Sequence, residues 1–218
     1  KATGKKLTYR ILADCHAIND QINDEWLIRD QTAIVQQLGW DAKEYAANLI
    51  EAEGGPDKCV RPLTPANDVE GPYKARGNDN AWGAQYADIV TRIMGADMAA
   101  IPAQYDRAVQ SEYVGGRTGH SHGPVDRFWM SLRAAFPSAT FKIEHQIGRE
   151  DPMMPPRAAL RWSLHGKHDG WGYFGAPTGA EVYVLGISHA EFGPWGLRRE
   201  YALFDETAIW KQILLQTG

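Results

Sequence analysis

The stretch EYALFDETAIWKQI, residues 200–213, decides the fold because it occurs twice in the chain. The stretch EWLIRDQTAIVQQL, residues 25–38, has the same order of residue types: Glu, an aromatic residue, three residues, Asp, two residues, Ala-Ile, two residues, Gln and an aliphatic residue. A His-Ala pair precedes each copy, at His16 and at His189. The copies lie much farther apart than the roughly 20 to 50 residues of stacked repeats, so the pattern predicts two successive domains of one kind.

The second copy closes a complete domain, whereas little sequence precedes the first. We therefore expect residues 1 to 40 to be the closing hairpin and helix of an upstream domain. Residues 41 to 80 are predicted to be a helix and a linker, and residues 81 to 218 a complete domain. A lone hairpin and helix is at best marginally stable in water, so residues 1 to 40 should need a partner surface. That surface is expected on the second domain, on a second copy of the chain or on an absent segment.

Composition indicates an ordinary globular protein: 44% of the 218 residues are hydrophobic and 23% are charged. The formal net charge of −4 argues against a nucleic-acid partner. Apolar runs are too short for a membrane span, and no signal peptide is predicted. Cys15 and Cys59 form no metal or disulfide pattern, which favours reduced thiols and a cytoplasmic protein.

The periodicity predicts helices first and strands afterwards. Residues 6 to 14 and 24 to 29 are predicted to be antiparallel strands joined at Asn19-Asp20. From residue 81 onward, three helices, with a strand at residues 108 to 113 between the second and the third, precede four strands of an antiparallel meander. This order is typical of an α+β fold in which helices cover one side of a curved antiparallel sheet. The hollow of such a cone is a small-molecule site by default.

Alternation along the four strands predicts which side chains share a face. The predicted sets are Phe141, Ile143, His145 and Ile147 on the first strand, Leu160, Trp162 and Leu164 on the second, Tyr183, Leu185, Ile187 and His189 on the third, and Arg199, Tyr201 and Leu203 on the fourth.

Four motifs resemble the SnoaL-like polyketide cyclase family of the NTF2-like superfamily: WSLHGKHDG at 162–170, FGAPTG at 174–179, GISH at 186–189 and EY-x-x-x-D at 200–205. The resemblance covers residues 81 to 218, and residues 7 to 39 resemble the closing part of another such domain. It implies a conical NTF2-like fold preceded by a strand-strand-helix remnant of a second one. It also implies back-to-back sheet pairing, as a homodimer or a tandem pseudo-dimer.

In cyclases of this family an Asp near the end of the last long strand is the general acid/base of an intramolecular aldol closure, and no cofactor takes part. The resemblance therefore implies catalytic roles for Asp205 and His189 without metal or cofactor. A hydrophobic pocket is implied for residues Trp129, His145, Trp162, Tyr183 and Tyr201. The common Trp of the family is Tyr201 here, and FGPWG at 192–196 replaces the usual Gly-Lys-Ile hairpin.

Each candidate residue also has a structural interpretation. Asp205 stands where the N-cap of the last helix belongs, as Asp30 does in the first copy. His189 and His145 could be core histidines with hydrogen-bond partners, and each aromatic residue could be ordinary core. His120 and His122 form only a weak metal signal, because no third ligand follows at a suitable spacing.

Two functional hypotheses follow. The first is a cofactor-free lyase or isomerase, of polyketide cyclase type, in which Asp205 removes a proton α to the carbonyl of a small hydrophobic compound. The second is a non-catalytic ligand-binding or dimerisation domain in which Asp205 is a helix cap.

Overall fold

The computed structural model describes residues 3–218. None of the helices in this range is long and apolar enough to span a membrane. The elements, in chain order, are β1 (Ile11–Ile18), β2 (Gln21–Arg29), α1 (Gln31–Gln37), α2 (Ala42–Ala52), α3 (Ala81–Met94), α4 (Ala100–Gln104), β3 (Tyr105–Tyr113), β4 (Arg117–His120), α5 (His122–Ala135), β5 (Thr140–Arg149), β6 (Arg157–Lys167), β7 (Glu181–Gly193), β8 (Gly196–Phe204) and α6 (Glu206–Thr217).

Six strands form one curved sheet in the order β4-β3-β8-β7-β6-β5. Neighbouring strands are antiparallel except β3 and β8, which run parallel. Helix α3 packs on β5 and β6, and α5 packs on β3. The predicted α+β arrangement is confirmed, with α3 and α5 packed on one side of a curved sheet.

Strands β1 and β2 form a separate hairpin that contacts β7 and β8. Its turn lies at Asn19 and Asp20, as predicted, and both residues have a positive φ, 51° and 60°. The predicted first strand, residues 6 to 14, exists but begins five residues too early, since β1 runs over Ile11–Ile18. Ile11 already pairs with Arg29, the last residue of β2, so residues 6 to 10 have no partner in that strand.

The sequence repeat is also a structural repeat. Asp30 accepts a hydrogen bond from the Ala33 N–H (3.0 Å), and Asp205 accepts one from the Ala208 N–H (3.0 Å), so each caps the helix that follows. Asp30 is fully buried and also accepts bonds from the N–H groups of Gly115 and Gly116, both at 2.8 Å. The first cap therefore fixes the hairpin to the β3–β4 turn as well.

The capping geometry predicts unequal costs for removing the two aspartates. Asp205→Ala should lower the free energy of unfolding by about 1 kcal/mol, since an exposed cap is lost. Asp30→Ala should cost roughly 2–4 kcal/mol, because two further buried N–H groups lose their acceptor. Urea unfolding of both variants measures the difference. Equal losses would show that Asp30 does not hold the β3–β4 turn.

A segment without regular structure, residues 60–76, runs from α2 across the sheet; we call it the strap. The Tyr73 N–H donates to Asp24 of the hairpin (3.1 Å), and the Tyr183 hydroxyl donates to Asp68 of the strap (2.6 Å). Beyond the strap, Gly77 forms a parallel bridge with Gln146 of β5. The strap is thereby tied to both the hairpin and the sheet.

The sheet has two faces with different covers. Trp162 and Glu200 point to the helices, on what we call the helix-covered face. Arg161 points to the hairpin and bonds Asp14 of β1 (3.0 Å), on the hairpin-covered face. The hairpin's own outward face, which carries Glu25, is exposed to solvent.

The predicted face of β5 is wrong beyond Ile143. The pairing register shifts between Ile143 and His145, so Ile143 lies opposite Trp162 whereas His145 lies opposite Arg161. This bulge moves His145 from the helix-covered face to the hairpin-covered face. The alternation of residue types along a strand cannot reveal a bulge. The extra residue reverses which face the following side chains point to, but it leaves the order of apolar and polar residues unchanged.

Candidate functional site

The carboxylate of Glu200 lies at the centre of the helix-covered face and is fully buried. Three hydroxyl groups donate to it: Tyr86 (2.8 Å), Tyr105 (2.8 Å) and Tyr113 (2.5 Å). The indole N–H of Trp129 donates to it at 3.2 Å. No arginine, lysine or histidine bonds this carboxylate among the described residues. Glu200 is therefore held by neutral donors alone.

Separate elements bring these donors together. Tyr86 comes from α3, Trp129 from α5, and Tyr105 and Tyr113 from the two ends of β3, the parallel neighbour of β8. Burial raises the pKa of Glu200, although the hydroxyl bonds oppose that shift. Burial and the nearby carboxylate raise the pKa of each of the three tyrosines well above its usual value. The phenols therefore remain protonated donors at all ordinary pH values.

Aromatic rings fill the rest of the cone. Trp129 and Trp162 are fully buried with ring centroids 5.9 Å apart. Phe128 stacks on Tyr113 at 3.9 Å. Gly186 is required beneath Trp162, because a Cβ there would lie 2.0 Å from the indole ring. In this structure Trp129 and Trp162 pack as core side chains.

Glu200 should give the protein a characteristic pH dependence. Its pKa is raised above the ordinary 4.5, so its contribution to stability is full below about pH 4.5 and is lost as pH rises through the folded-state pKa. Glu200→Gln removes this ionisation, so the stability of the variant relative to wild type should increase as pH rises from 4 to 8. Urea unfolding across that range measures it.

Glu200→Ala is the matched variant. It leaves three hydroxyls and one indole N–H without their buried acceptor, so we expect a loss of at least about 3 kcal/mol. A pH-independent difference between Glu200→Gln and wild type would contradict a buried ionisable carboxyl.

A second polar cluster lies on the hairpin-covered face. Asp14 of β1 accepts bonds from Nδ1 of His145 and Nε of Arg161, both at 3.0 Å. The guanidinium of Arg161 lies over the ring of Trp26, 4.4 Å from its centroid. Burial raises the pKa of Asp14, but the hydrogen bonds and charges of His145 and Arg161 outweigh it and hold the pKa below its ordinary value. Asp14 is therefore an ionised anchor between the hairpin and the sheet.

Tyr73 of the strap completes this cluster. Its hydroxyl lies 3.2 Å from Nε2 of His145. Its ring stacks on His16, with centroids 4.2 Å apart. The strap, the hairpin and β5 thus each contribute one member to a chain of contacts from Tyr73 through His145 to Asp14.

Tyr73 and Arg161 border a cleft of about 460 Å³ between the strap and the sheet, which we call the strap cleft. Three aromatic residues, four cationic residues and three carboxylates are found in its lining. They are Trp26, Tyr73 and Tyr183; Lys74, Arg76, Lys142 and Arg161; and Asp68, Glu70 and Glu144. Glu144 accepts ion pairs from Lys142 (2.7 Å) and Arg76 (3.1 Å). This lining suits a polar ligand with a planar part.

A cleft of about 690 Å³ lies between β2, the strap and α6, and we call it the helix cleft. Its walls are largely aliphatic, and Asp205 and Tyr183 border it. Oδ1 of Asp205 accepts both the Ala208 N–H (3.0 Å) and the Thr207 hydroxyl (2.7 Å). Oδ2 accepts no hydrogen bond from the described residues, so this oxygen remains available to a ligand.

The predicted site residues do not line one pocket. Trp129 and Trp162 lie in the cone, whereas His145, Tyr183, His189 and Tyr201 lie on the opposite, hairpin-covered face of the sheet. Asp205 lies at the start of α6 and borders the helix cleft. Of the other predicted site residues, only Tyr183 borders the same cleft. His189 is largely enclosed, and burial lowers its pKa although the charge of Asp14 opposes this.

Sequence reasoning missed Glu200, Asp14 and Tyr73 as site residues. Glu200 was visible as an invariant member of the repeated stretch, but its four partners come from distant parts of the chain. Asp14 lies two residues before His16, inside the predicted upstream remnant, and Tyr73 lies in the linker. Asp14 and Tyr73 belong to none of the four motifs, and in the EY-x-x-x-D motif that contains Glu200 the resemblance gives a role only to the Asp.

Among residues 3–218, no group of three or more His, Cys, Asp or Glu side chains is arranged to hold a metal ion. His120 lies exposed on β4, and Nε2 of His122 bonds the carbonyl of Tyr105 at 3.0 Å. These two histidines therefore have separate environments.

No family model matches the sequence, and no curated protein sequence matches it significantly. Solved structures do match. A proposed SnoaL-like polyketide cyclase from Jannaschia sp. CCS1 has a TM-score of 0.50 at 14% identity, over 62% of this chain and 96% of that one. IdmH, a proposed polyketide cyclase from Streptomyces antibioticus, has a TM-score of 0.50 at 13% identity, over 62% and 99%. A proposed polyketide cyclase from Acidithiobacillus ferrooxidans has a TM-score of 0.50 at 16% identity, over 65% and 99%.

A curved antiparallel sheet with helices packed on one face defines the chain as a conical α+β protein. Its fold is the NTF2-like fold of the SnoaL-like polyketide cyclases, which confirms the predicted fold. At these sequence identities the likeness concerns the fold alone.

Proposed function

We propose that this protein binds a small polar ligand in the strap cleft, outside the cone. The observation that carries the proposal is the contrast between the two faces of the sheet. The cone is filled by aromatic rings, and the Glu200 carboxylate already has four donors. On the opposite face, a cleft of about 460 Å³ is lined by aromatic and charged side chains. Concave sites with a few convergent polar groups are the usual places for small ligands.

The lining indicates the class of ligand. The indole of Trp26 and the phenols offer planar surfaces, and four cationic side chains face three carboxylates. The arginine and lysine side chains at the border can pair with an anionic group of a ligand. Small aromatic carboxylates meet both requirements.

Lys142→Ala tests this site. Lys142 is 56% exposed in its side chain and pairs only with Glu144 among the described residues, so its loss should leave the fold intact. We expect benzoate or 4-hydroxybenzoate to bind wild type and to bind the variant roughly fivefold more weakly, as for one lost exposed ion pair. Isothermal titration calorimetry measures both affinities.

Lys167→Ala is the matched control, because Lys167 is an exposed lysine at the end of β6 and does not line the cleft. Equal affinities of the Lys142 and Lys167 variants would place the ligand elsewhere. If neither wild type nor the two variants bind benzoate or 4-hydroxybenzoate, aromatic carboxylates are rejected as the ligand class.

A second candidate function is cofactor-free acid/base chemistry of polyketide cyclase type in the helix cleft. The position of Asp205 favours it, because Oδ2 is unengaged at the border of a largely aliphatic cleft. In this proposal Asp205 removes a proton α to the carbonyl of a small hydrophobic compound. The fold of the structural neighbours is consistent with this chemistry, but a fold alone does not assign a reaction.

Asp205→Asn separates catalysis from capping. Asparagine caps helices about as well as aspartate, so the free energy of unfolding should change by less than about 0.5 kcal/mol. It cannot act as a base, so turnover of an aldol-type substrate should fall at least about 100-fold. Deuterium exchange at the α-carbon of a methyl ketone, followed by NMR, measures the proton abstraction. Exchange that is equally fast in wild type and variant would reject the role of Asp205.

A further inference from the structure

We infer that Tyr73 is a nucleophile for small acyl compounds in the strap cleft, with His145 as its general base and Asp14 as the residue that positions His145. This inference rests on the proposal that the strap cleft is the ligand site. Three residues from three separate segments form the relay: Asp14 from β1, Tyr73 from the strap and His145 from β5.

The contacts define the role of each ring nitrogen of His145. Nδ1 lies 3.0 Å from the Asp14 carboxylate, which only accepts, so Nδ1 carries the proton. In the neutral imidazole Nε2 is then an acceptor, and it lies 3.2 Å from the Tyr73 hydroxyl. A nucleophile bonded to a base, with the base oriented by a carboxylate, is the arrangement that activates hydroxyl groups in acyl transfer.

Tyr73 is held in this position from two further sides. Its backbone N–H donates to Asp24 at 3.1 Å, and its ring stacks on His16 at 4.2 Å. Packing and hydrogen bonds of this kind keep a catalytic group in its productive geometry. The strap alone, which has no regular structure, would not do so.

The relay joins a buried base to a partly exposed residue at the border of the cleft. His145 is 4% exposed, whereas Tyr73 borders the strap cleft. Arg161 borders the same cleft, and its Nε is engaged by Asp14. The two terminal nitrogens of Arg161 have no hydrogen-bond partner among the described residues, so they can bind the oxygen of an acyl group.

The reaction with an activated ester is balanced without any co-reactant. The Tyr73 oxygen forms a bond to the acyl carbon, and its proton passes to Nε2 of His145. The bond from the acyl carbon to the leaving oxygen breaks, and the leaving group departs with the electron pair. With p-nitrophenyl acetate the products are O-acetyl-Tyr73 and p-nitrophenolate.

Acetylation of the full chain by p-nitrophenyl acetate, followed by peptide mass spectrometry, tests the relay. Tyr9, which is 42% exposed, serves as the internal reference for an unassisted phenol. We expect Tyr73 to be acetylated on the order of 100-fold faster than Tyr9, as general-base assistance provides. His145→Gln should reduce the rate at Tyr73 to that at Tyr9. His120→Gln, at an exposed histidine on β4, should leave the rate unchanged.

Asp14→Asn is the second variant, because its side chain has nearly the same shape as aspartate. Its amide can donate to Nδ1 and favour the other tautomer of His145, so acetylation of Tyr73 should slow about tenfold or more. Nitrogen-15 NMR of the histidine rings should show His145 protonated at Nδ1 in wild type and changed in the variant. A purely structural role of Asp14 would not move this signature.

Acetylation of Tyr73 no faster than that of Tyr9 would overturn the inference, as would a rate that neither His145→Gln nor Asp14→Asn alters. Calorimetry with benzoate on the same samples distinguishes the two proposals. Retained benzoate binding with slow acetylation rejects the relay and leaves the ligand site. Fast, His145-dependent acetylation without aromatic carboxylate binding supports the relay and rejects that ligand class.

Discussion

A buried carboxylate that receives hydrogen bonds from neutral donors, with no cationic partner in the described part of the chain, is the central constraint on this fold. Taking a charge out of water is costly unless hydrogen bonds replace the lost hydration. Glu200 obtains them from Tyr86, Tyr105, Tyr113 and Trp129, which come from two helices and one strand. These side chains can reach one carboxylate only if α3, α5, β3 and β8 keep one relative arrangement. The network therefore specifies how the helices sit in the cone, in addition to any stability that it contributes.

The same network occupies the centre of the cone. The donors that would surround a bound anion in a hollow cone instead surround a side chain of the protein itself. Space for a ligand is found on the other face, where the hairpin and the strap cover the sheet incompletely. The polar side chains there, including Asp14, His145 and Arg161, are joined by direct bonds across element boundaries. A fold with helices on one face and an added hairpin on the other thus has two chemically different interiors.

The sequence was sufficient for the fold and for the turn of the first hairpin, since the helix-then-strand order and the turn residues are local patterns. It was insufficient for the site, for three physical reasons. The bulge between Ile143 and His145 reverses the phase of β5, and alternation has no means of showing it. The partners of Glu200 lie up to 114 positions from it in the chain, so no motif contains them. Tyr73 lies in a segment without periodicity, where only contacts with β1, β2 and β5 give it a defined position.

Glu25 and Glu200 occupy the same place in the two copies of the repeat but meet opposite surroundings. Glu200 is fully buried, whereas Glu25 is exposed on the outward face of the hairpin. Within residues 3–218, Glu25 accepts only a weak bond, from the Cys15 thiol at 3.4 Å. Water hydrates the carboxylate of Glu25, and this hydration would be lost if the outward face were covered. Any surface that covers the hairpin must therefore bring its own hydroxyl, amide or cationic groups to this carboxylate. Glu25 thus restricts the partners of the hairpin's outward face to surfaces that offer such groups.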